Sequence, residues 1–393
     1  MPWKVNNVSE VRFAACHAVR SLSQPVAAVA HAYNVSRKTL HKWLNLFDAC
    51  TQPLAQDLQD RSRRPRRSPR RTPAAIEKQI LNVRDRHNWG PRKIRHFLLQ
   101  EAQRRRRAQP QLPTIRTIAN ILRRHHRIQP DTPTPELQRF ERSGPNHLWQ
   151  MDHKGSVEVQ RRKVMPLSIL DDHSRYCLSL TPCLDLTMNT AWDILWDLFG
   201  QVGLPHAILA DNAFRAHGGF TTERCPGLGW LDARLIRLGI QPSHGRPYHP
   251  QTQGKVERFH GSVNRELIRF NVRRDCLEHF CEDCQRYRNT YNTLRPHEAL
   301  GDLPPLSRWR PSDRPRPASL PEVTYPAGSV LRKVSTSGDI RYRGYRILCG
   351  RGITGQPVRV EERQNELVVF YCHKQIRSLP LLSRNQRQPD IML

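Results

Sequence analysis

The sequence predicts a multidomain protein with two all-α modules, then a central α/β domain, then a small β-barrel. Three observations lead to this fold class. Apolar residues recur at helical spacing over residues 8–47 and 73–128. Residues 148–293 alternate strand-like apolar runs with helical patterns. Residues 328–380 show period-two apolar runs that are broken by turn residues.

The net charge is the strongest global feature of the sequence. Lysine and arginine number 64 against 35 aspartates and glutamates, which gives a formal charge of +29 at pH 7. So much like charge repels itself unless a polyanion balances it, and phosphate backbones are the usual counterpart. The composition therefore indicates a nucleic-acid-binding protein.

The sequence carries no sign of secretion or membrane insertion. A transmembrane helix needs about 18 or more apolar residues in a row, and no such run occurs. The N-terminal MPWKVNNVSE lacks the apolar centre of a signal peptide. Ten cysteines without paired spacing are typical of reduced thiols. We therefore expect a cytoplasmic protein with no membrane partner.

The stretch CLEHFCEDC at 276–284 suggests zinc as an alternative use of cysteine. Its candidate ligands are Cys276, His279, Cys281 and Cys284. They fall in one helix-like stretch, without a second ligand pair at zinc-finger spacing. We expect core and surface thiols here rather than a zinc site.

Residues 1–55 are predicted to form a helix-turn-helix module that binds DNA. A short helix at 26–32 and a turn precede a second helix, for which Ser36 is the expected N-cap. In such a module the second helix enters the major groove. The side chains expected to face DNA are Arg37, Lys38, His41 and Lys42.

Residues 56–72 form a basic linker. Seven of the eleven residues from 61 to 71 are arginine, and the prolines among them prevent a regular helix. A solvated tether is the structural alternative, but a DNA-contacting arm is favoured because narrow minor grooves attract arginine. The arginines assigned to DNA are Arg63, Arg64, Arg66 and Arg67.

Residues 73–130 are predicted to be a second helical DNA-binding module. Its last helix has a Pro-Thr start, and the predicted buried stripe consists of Ile115, Ile118, Ile121 and Leu122. This leaves Arg116 and Arg123 outward, toward DNA. Residues 131–147 are a Pro-rich linker into the central domain.

The central domain is predicted at residues 148–310. Strands are expected near 148–159, 163–171, 176–182, 206–210 and 240–244, and helices at 188–202, 230–238, 254–271 and 276–293. Strands joined by short turns should be antiparallel, and strands separated by helices parallel. Asp171 and Asp172 are expected in a turn without a chemical role.

Three acidic residues of this domain suit a metal site. Asp152 and Asp211 each close a strand-like run, and Glu257 falls in the first turn of a helix beginning near Gly254. Mg²⁺ prefers hard oxygen ligands, and two such ions can activate one oxygen and stabilise another in phosphoryl transfer. The predicted cofactor is two Mg²⁺ ions, with Mn²⁺ as a substitute.

The helix of Glu257 is predicted to bury one face and to present cations on its surface. Its apolar stripe is Val256, Phe259, Val263, Leu267 and Phe270, and Glu257 lies beside this stripe. Three flanking side chains are expected on the helix surface, where they would hold DNA phosphates. These are Lys255, Arg258 and His260.

Four motifs make the central domain similar to a known family. LWQMD at 148–152, LDDHSRY at 170–176, ADN at 210–212 and PYHPQTQGKVERFHGSVNREL at 247–267 resemble the integrase core of bacterial insertion-sequence transposases. This Asp-Asp-Glu group is related to retroviral integrases, and the resemblance spans roughly residues 143–310. It implies a ribonuclease-H-like fold and a metal-binding catalytic triad of Asp152, Asp211 and Glu257.

The sequence departs from the family pattern between the second and third acids. Asp211 and Glu257 are separated by 45 residues, a longer gap than is usual for the family, and Ala213 stands where a glycine is common. We assign the extra length to a surface loop at 215–229, which is rich in glycine.

The C-terminal region is predicted to be a linker at 311–327 and a small β-barrel at 328–382. Short strands broken by Gly-Asp and Gln-Asn turns favour an SH3-like barrel, of a kind that recurs after integrase cores. Its cations would touch phosphates, and a purely structural cap is the alternative. These cations are Arg332, Lys333, Arg341 and Arg343.

The resemblance implies a DNA transposase. Such an enzyme binds double-stranded DNA at the ends of a mobile element, hydrolyses a phosphodiester to expose a 3′ hydroxyl, and joins it to target DNA. Joining two ends implies a homo-oligomer, and the expected location is the bacterial cytoplasm, associated with the nucleoid. Whether a partner ATPase takes part is not readable from the sequence.

Two other functions fit part of the pattern. A catalytically decayed DNA-binding regulator would keep the helical modules and the charge, and the long second gap and Ala213 favour it. A ribonuclease-H-type nuclease would explain the triad but not the paired DNA-reading modules.

Overall fold

The protein is described by a computed structural model at residues 8–60, 71–105, 111–128, 141–210, 227–244, 254–270, 272–364 and 366–381. It divides into two compact units, Met1–Arg71 and Thr72–Leu393. None of the helices in these ranges is long and apolar enough to span a bilayer.

The first unit is a small helical domain. It contains α1 (Val8–Arg20), α2 (Val26–Ala32), α3 (Arg37–Asp48) and a 3₁₀ turn at Ala55–Leu58. Ser36 caps α3, because its Oγ accepts a hydrogen bond from the Thr39 amide at 3.1 Å. Side chains of all four elements, among them Cys16, Val29, Leu44 and Leu58, share one apolar core. α2 and α3 lie where they were predicted, and the assignment as a DNA-binding module stays a prediction.

The second unit begins with the second helical module. Its helices are α4 (Ala74–His87), α5 (Pro91–Arg104) and α6 (Ile115–Arg124). Three residues of the predicted α6 stripe are buried in a core with Trp89, but Ile115 is 43% exposed, so that part of the prediction is wrong. Ile115 is the first residue of α6, and a side chain there has no preceding helical turn to cover.

The central domain is a twisted sheet between two helical layers. Its strands are β1 (Trp149–His153), β2 (Val157–Val159), β3 (Arg162–Asp171), β4 (Cys177–Cys183), β5 (Ala207–Ala210) and β6 (Gln241–His244). β3 pairs antiparallel with β1, β2 and β4, whereas β1, β5 and β6 run parallel. This confirms the predicted directions, although the single strand expected at 148–159 is two strands.

Helices cover both faces of this sheet. The central domain contains α7 (Met188–Val202), α8 (Trp230–Arg237), α9 (Gly254–Val263) and α10 (Leu277–Thr293). Side chains of α7 and α8 pack with Trp149 and Met151 of β1 in one apolar core. Side chains of α9 and α10 form a second core with Leu170 and Leu180.

The helix that follows Gly254 does not stay α-helical to 271. α9 ends at Val263, and the chain continues as a π-helical turn at Asn264–Ile268. A π turn is wider than an α turn and therefore shifts the register of the side chains after it. Four residues of the predicted stripe are buried, but Phe270 is 39% exposed for this reason, and its predicted burial is wrong.

The C-terminal domain consists of six antiparallel strands in its described residues. These are β7 (Val330–Lys333), β8 (Asp339–Tyr342), β9 (Tyr345–Leu348), β10 (Pro357–Arg363), β11 (Glu366–Tyr371) and β12 (Lys374–Pro380). β12, β11, β10 and β7 form one sheet in that order, and β8 and β9 form a hairpin. The two turn residues of the hairpin, Arg343 and Gly344, both have positive φ, as a two-residue turn of this kind requires.

The C-terminal domain packs directly on the central domain. Ala233 and Ile236 of α8 lie in the apolar core of its sheet. The Leu228 amide donates to the Cys349 carbonyl at 2.9 Å, and the Gly352 amide donates to the Leu228 carbonyl at 3.1 Å. A Cβ on Gly350 would lie 2.2 Å from the Leu228 nitrogen, so this close approach of two backbones requires glycine.

The segment predicted as a linker at 311–327 is attached to the central domain at its start. The Arg314 guanidinium donates to the carbonyls of Pro205 at 2.6 Å and of Leu238 and Gly239 at 3.0 Å. Arg316 donates to the Trp196 carbonyl at 2.9 Å. These arginines are therefore structural, because Arg314 satisfies carbonyl groups after α7 and α8 and Arg316 binds a carbonyl group within α7.

Candidate active site

Asp152 lies near the end of β1 and faces helix α9. Its side chain is 22% exposed, and its Oδ2 lies 3.7 Å from Nδ1 of His260. The other ring nitrogen of His260, Nε2, lies 3.0 Å from Oγ of Ser168. Burial, with the nearby charges of Lys154 and His153, lowers the pKa of His260 to about 4. The ring is therefore neutral at pH 7, and its contact with Asp152 is not an ion pair.

Glu257 lies on the same side of α9 as His260. It is exposed, in the first turn of the helix, and precedes His260 by three residues. Residues three apart share a helix face. The contact of His260 with Asp152 therefore places Glu257 on the side of the helix that faces the end of β1.

Asp211 lies outside the described residues. Ala210, the residue before it, ends β5 and pairs with Met151, the residue before Asp152. β1 and β5 are parallel neighbours, and their carboxyl ends reach the same edge of the sheet. Described residues thus bring two elements of the predicted triad together, Asp152 and the helix of Glu257.

An ion pair anchors the start of α9. Nζ of Lys255 lies 2.5 Å from Oδ1 of the buried Asp172. Asp172 also accepts hydrogen bonds from the Gln150 side chain and the Arg142 amide, both at 2.8 Å. Burial lowers the pKa of Lys255, although the Asp172 carboxylate opposes this effect.

This anchor corrects part of the prediction for the cations around Glu257. The side chains of Lys255 and His260 are only 13% and 14% exposed. Both side chains turn inward. Lys255 does so because the buried carboxylate of Asp172 requires a cation, and His260 does so because its imidazole packs on Ser168. Their predicted location on the helix surface is wrong, whereas Arg258 is exposed as predicted.

The turn after β3 has the structural role that the sequence predicted for it. Asp171 accepts hydrogen bonds from the Asn146 amide at 2.7 Å and from the amide and hydroxyl of Ser174 at 2.8 and 2.6 Å. Burial raises the pKa of Asp171, and these donors offset part of that rise. The carboxylates of Asp171 and Asp172 therefore hold the backbone beside the site rather than enter it.

The remaining DNA-binding candidates lie at exposed positions or outside the described residues. The first unit exposes Arg37, Lys38, His41 and Lys42 on α3. The second helical module exposes Arg116 and Arg123, and Arg123 donates to the Asn120 side chain at 2.7 Å. Outside the described residues lie Arg63, Arg64, Arg66 and Arg67. DNA contact by each of these residues stays a prediction.

The donor set at Asp152 and Glu257 fits a divalent cation such as Mg²⁺. Both offer carboxylate oxygens at accessible positions on adjoining elements, which is the ligand type that Mg²⁺ prefers. A separate group of metal-ligand type, Asp275, Cys276 and His279, lies on the surface at the start of α10. There His279 hydrogen-bonds to Asp275 at 2.6 Å, and Cys276 caps the helix.

Sequence reasoning missed two residues that shape the site. Ser168 is a buried serine in the apolar run of β3, and it is the register partner of Asp152. Asp172 holds Lys255, as described above. An isolated polar residue in a buried strand requires a hydrogen-bond partner, so Ser168 carried a usable signal. The partner of Asp172 was not readable from the sequence, because Lys255 is distant along the chain.

Two family models match the central domain. Residues 142–250 match one described as an integrase core domain, and residues 238–305 match a second with the same description. The first range contains Asp152 and Asp211, and the second contains Glu257. Together the two ranges begin before β1 and end after α10.

Several similar curated proteins are retroviral polyproteins. The chain is 32% identical over 119 residues to the Gag-Pro-Pol polyprotein of Mason-Pfizer monkey virus, which covers 30% of this chain and 6% of the polyprotein. It is 29% identical over 127 residues to that of sheep pulmonary adenomatosis virus, covering 32% and 6%. It is 28% identical over 192 residues to the Pol polyprotein of feline endogenous virus ECE1, covering 46% and 17%. The chain therefore spans only a small part of each polyprotein.

Two solved structures are similar at low identity. The HTLV-2 integrase catalytic core domain in complex with magnesium aligns at 18% identity and a TM-score of 0.32, covering 42% of this chain and 97% of that one. A simian T-cell lymphotropic virus intasome in complex with a PP2A regulatory subunit aligns at 16% identity and a TM-score of 0.37, covering 77% and 95%.

Proposed function

We propose that this chain is a DNA transposase that cleaves the ends of a mobile element and joins them to target DNA. Its central domain is a retroviral-integrase-like core, to which two integrase-core family models match. The observation that carries the proposal is the contact between Asp152 and His260, since it brings the strand of one predicted acid to the helix of another. Both acids are exposed enough to meet a substrate.

The triad would be completed by Asp211, and the three carboxylates would hold two Mg²⁺ or Mn²⁺ ions. When bound, such ions activate the attacking oxygen and stabilise the leaving oxygen of a phosphodiester. Asp152 and Glu257 supply hard oxygen donors. His260 lies beside Asp152, and its ring is held there by the 3.0 Å contact of Nε2 with Oγ of Ser168.

The surrounding residues supply the DNA contacts in this proposal. Arg258 follows Glu257 on an exposed part of α9 and would bind a phosphate beside the reacting one. The exposed cations of α3 and α6 and the arginine arm would read and track the element end. Because two ends are joined, the active form would be a homo-oligomer on double-stranded DNA. It would act in the cytoplasm of a bacterium, associated with the nucleoid.

The proposal is tested by strand transfer with purified protein, Mg²⁺ and a labelled DNA fragment that carries the element end. Glu257→Gln keeps the shape of the side chain and removes the charge that holds a cation. Glu278→Gln is the matched control, because Glu278 is also an exposed glutamate in the first turn of a helix. Joined products from wild type and Glu278→Gln, but not from Glu257→Gln, are expected.

Two other outcomes would overturn the proposal. Tight binding of the element end without joining by any variant would support the decayed DNA-binding regulator, which the long gap before Glu257 favours. Cleavage of the RNA strand in an RNA–DNA hybrid, without joining of DNA, would support a ribonuclease-H-type nuclease.

A further inference from the structure

The π-helical turn after α9 holds a buried glutamate. Glu266 lies in this turn, and its side chain is 5% exposed. π turns are rare and often mark functional positions in helices. A buried carboxylate is costly unless cations and hydrogen-bond donors surround it. The partners of Glu266 therefore determine whether this turn keeps its shape.

The partners of Glu266 come from two different domains. Arg295, in the central domain, donates to both carboxylate oxygens at 2.8 Å. From the second helical module, Nε1 of Trp89 lies 3.3 Å from Oε2 and Nζ of Lys93 lies 3.4 Å from Oε1. We name Trp89, Lys93, Glu266 and Arg295 the Glu266 cluster. One carboxylate thus joins the end of the catalytic helix to the second helical module.

The cluster is tied to α9 by more than the carboxylate. Nη2 of Arg295 also lies 3.0 Å from Oγ of Ser262, in the last turn of α9. The Asn88 side chain donates to the Arg265 carbonyl at 2.8 Å. The second helical module therefore contacts both the side chain and the backbone of the π turn.

Helix α5 makes a second attachment to the central domain. The Arg92 guanidinium donates to both oxygens of the buried Asp302 and to Glu298 at 2.8 Å. Nε2 of His96 lies 3.0 Å from Oδ2 of Asp302. Lys93 and Arg92 are adjacent, so the first turns of α5 fix the second helical module at two points.

α9 is short enough to transmit a displacement at one end to the other. Glu257 precedes Glu266 by nine residues, which is about 14 Å along a helix. The start of α9 is held by Lys255 on Asp172 and its end by the Glu266 cluster. Loosening the cluster removes the polar attachment at the end of α9 and leaves the Lys255 ion pair and the apolar face of the helix to position Glu257.

We propose that Glu266 is a positioning residue, through which docking of the second helical module places Glu257 for catalysis. The inference rests on the proposed function and deepens it. Strand transfer would depend on docking of the second helical module, whose other face would bind the element end. Trp89 and Lys93 are the module residues that carry the coupling.

The test removes the charge of Lys93, the cation that the second helical module contributes to the cluster, and keeps the ion pair of Arg295 with Glu266. Lys93→Met keeps the length of the side chain and deletes its ammonium group. A small displacement of a catalytic group strongly reduces the reaction rate. We therefore expect the rate of strand transfer at saturating DNA to fall by about tenfold or more. The dissociation constant of the element end should change by less than about twofold, since Lys93 is 27% exposed and faces the central domain.

Two further variants distinguish a positioning role of the Glu266 cluster from a non-specific effect of substitutions in α5. Lys93→Arg restores a cation and should recover most of the rate. Glu101→Gln removes the exposed ion pair of Glu101 with Arg105 on the same helix, away from the cluster, and should behave as wild type. A loss in Lys93→Met that appears only as weaker DNA binding, with the saturated rate unchanged, would overturn the proposal.

Amide hydrogen exchange over residues 256–268 gives a readout that is independent of activity. Faster exchange there in Lys93→Met, but not in Glu101→Gln, supports the coupling even if the wild type joins no DNA and the proposed function fails. Equal exchange in the three proteins overturns the coupling. If the wild type joins DNA and Lys93→Met joins it equally fast, the transposase function stands and the positioning role of Glu266 does not.

Discussion

Lys255 and Asp172 form an ion pair at 2.5 Å that attaches helix α9 to the turn after β3. Lys255 stands two residues before Glu257, and Asp172 follows the last residue of β3. The pair is largely shielded from solvent and thus is weakly screened by salt. The position of Glu257 therefore depends on a residue of the LDDHSRY motif that has no chemical role of its own.

Removing this cation should destabilise the central domain. Lys255→Met leaves Asp172 with two of its three described donor groups, and losing a charged hydrogen bond costs about 1.5–3 kcal/mol. We expect a loss of that size in the free energy of unfolding, measured with urea. Arg258→Met, on an exposed position of the same helix, should change it by less than about 0.5 kcal/mol. Equal stability of the two variants would contradict the anchor.

Mg²⁺ should stabilise the protein through Asp152 and Glu257. A ligand that binds only the folded state adds about 2.7 kcal/mol at roughly 100 times its Kd. We expect the melting temperature to rise with Mg²⁺ in wild type and to stay constant in Asp152→Asn and Glu257→Gln. Asp275→Asn is the control, because it alters the surface group at the start of α10. Loss of the Mg²⁺ effect in that control alone would place the ion there.

Acid should weaken the Glu266 cluster. Burial by itself would raise the pKa of Glu266, but Arg295 and Lys93 outweigh it and hold this pKa below the ordinary value of 4.5. A carboxyl with a depressed folded-state pKa contributes stability above its unfolded pKa, and the contribution is lost as pH falls through the folded value. The difference in unfolding free energy between wild type and Glu266→Gln should therefore be constant above about pH 5 and shrink below about pH 4.5. A difference that grows on acidification would contradict the assigned ion pairs.

Gly350 should tolerate no side chain. Its φ of +116° disfavours other residues, and a Cβ would lie 2.2 Å from the Leu228 nitrogen. Gly350→Ala should cost more than the roughly 1–2 kcal/mol of backbone strain alone. Gly355→Ala is the matched control, since Gly355 has a φ of +76° and no atom lies within 4 Å of the position that its Cβ would take. Equal losses of unfolding free energy would show that the contact with Leu228 is not close.

The cations of α3 should give DNA binding a salt dependence. Each phosphate contact contributes about −0.9 to the slope of log K against log salt. The triple variant Arg37→Gln, Lys38→Gln, Lys42→Gln should reduce the slope by up to about 2.7 on this basis. Arg20→Gln serves as the control, because Asp48 already pairs with Arg20 on α1. An unchanged slope in the triple variant would exclude α3 as a DNA-binding surface.

Local patterns predicted most of the central domain. α7 has the predicted bounds, because apolar residues such as Leu195 and Phe199 recur at helical spacing in a long stretch. The start of α9, which carries Glu257, was likewise readable from a short motif, whereas β1 ends at His153, inside the single strand that was expected at 148–159.

Features that depend on distant residues were not predictable. The inward turn of Lys255 requires Asp172, which is 83 residues away along the chain. The contact of Trp89 with Glu266 joins residues 177 apart. A charged side chain next to an acidic residue on a helix has the same local sequence pattern whether it binds DNA or a buried carboxylate. The sequence pattern therefore could not distinguish these two roles for Lys255.

The shared core between α8 and the C-terminal sheet limits how that sheet can be studied. A chain shortened before Val330 would leave Ala233 and Ile236 uncovered, and newly exposed apolar surface promotes aggregation. Loss of activity in such a truncation would report insolubility instead of a missing DNA contact. Substitutions at exposed cations, such as Lys333 and Arg341, leave the shared core intact and measure the contribution of the sheet to binding.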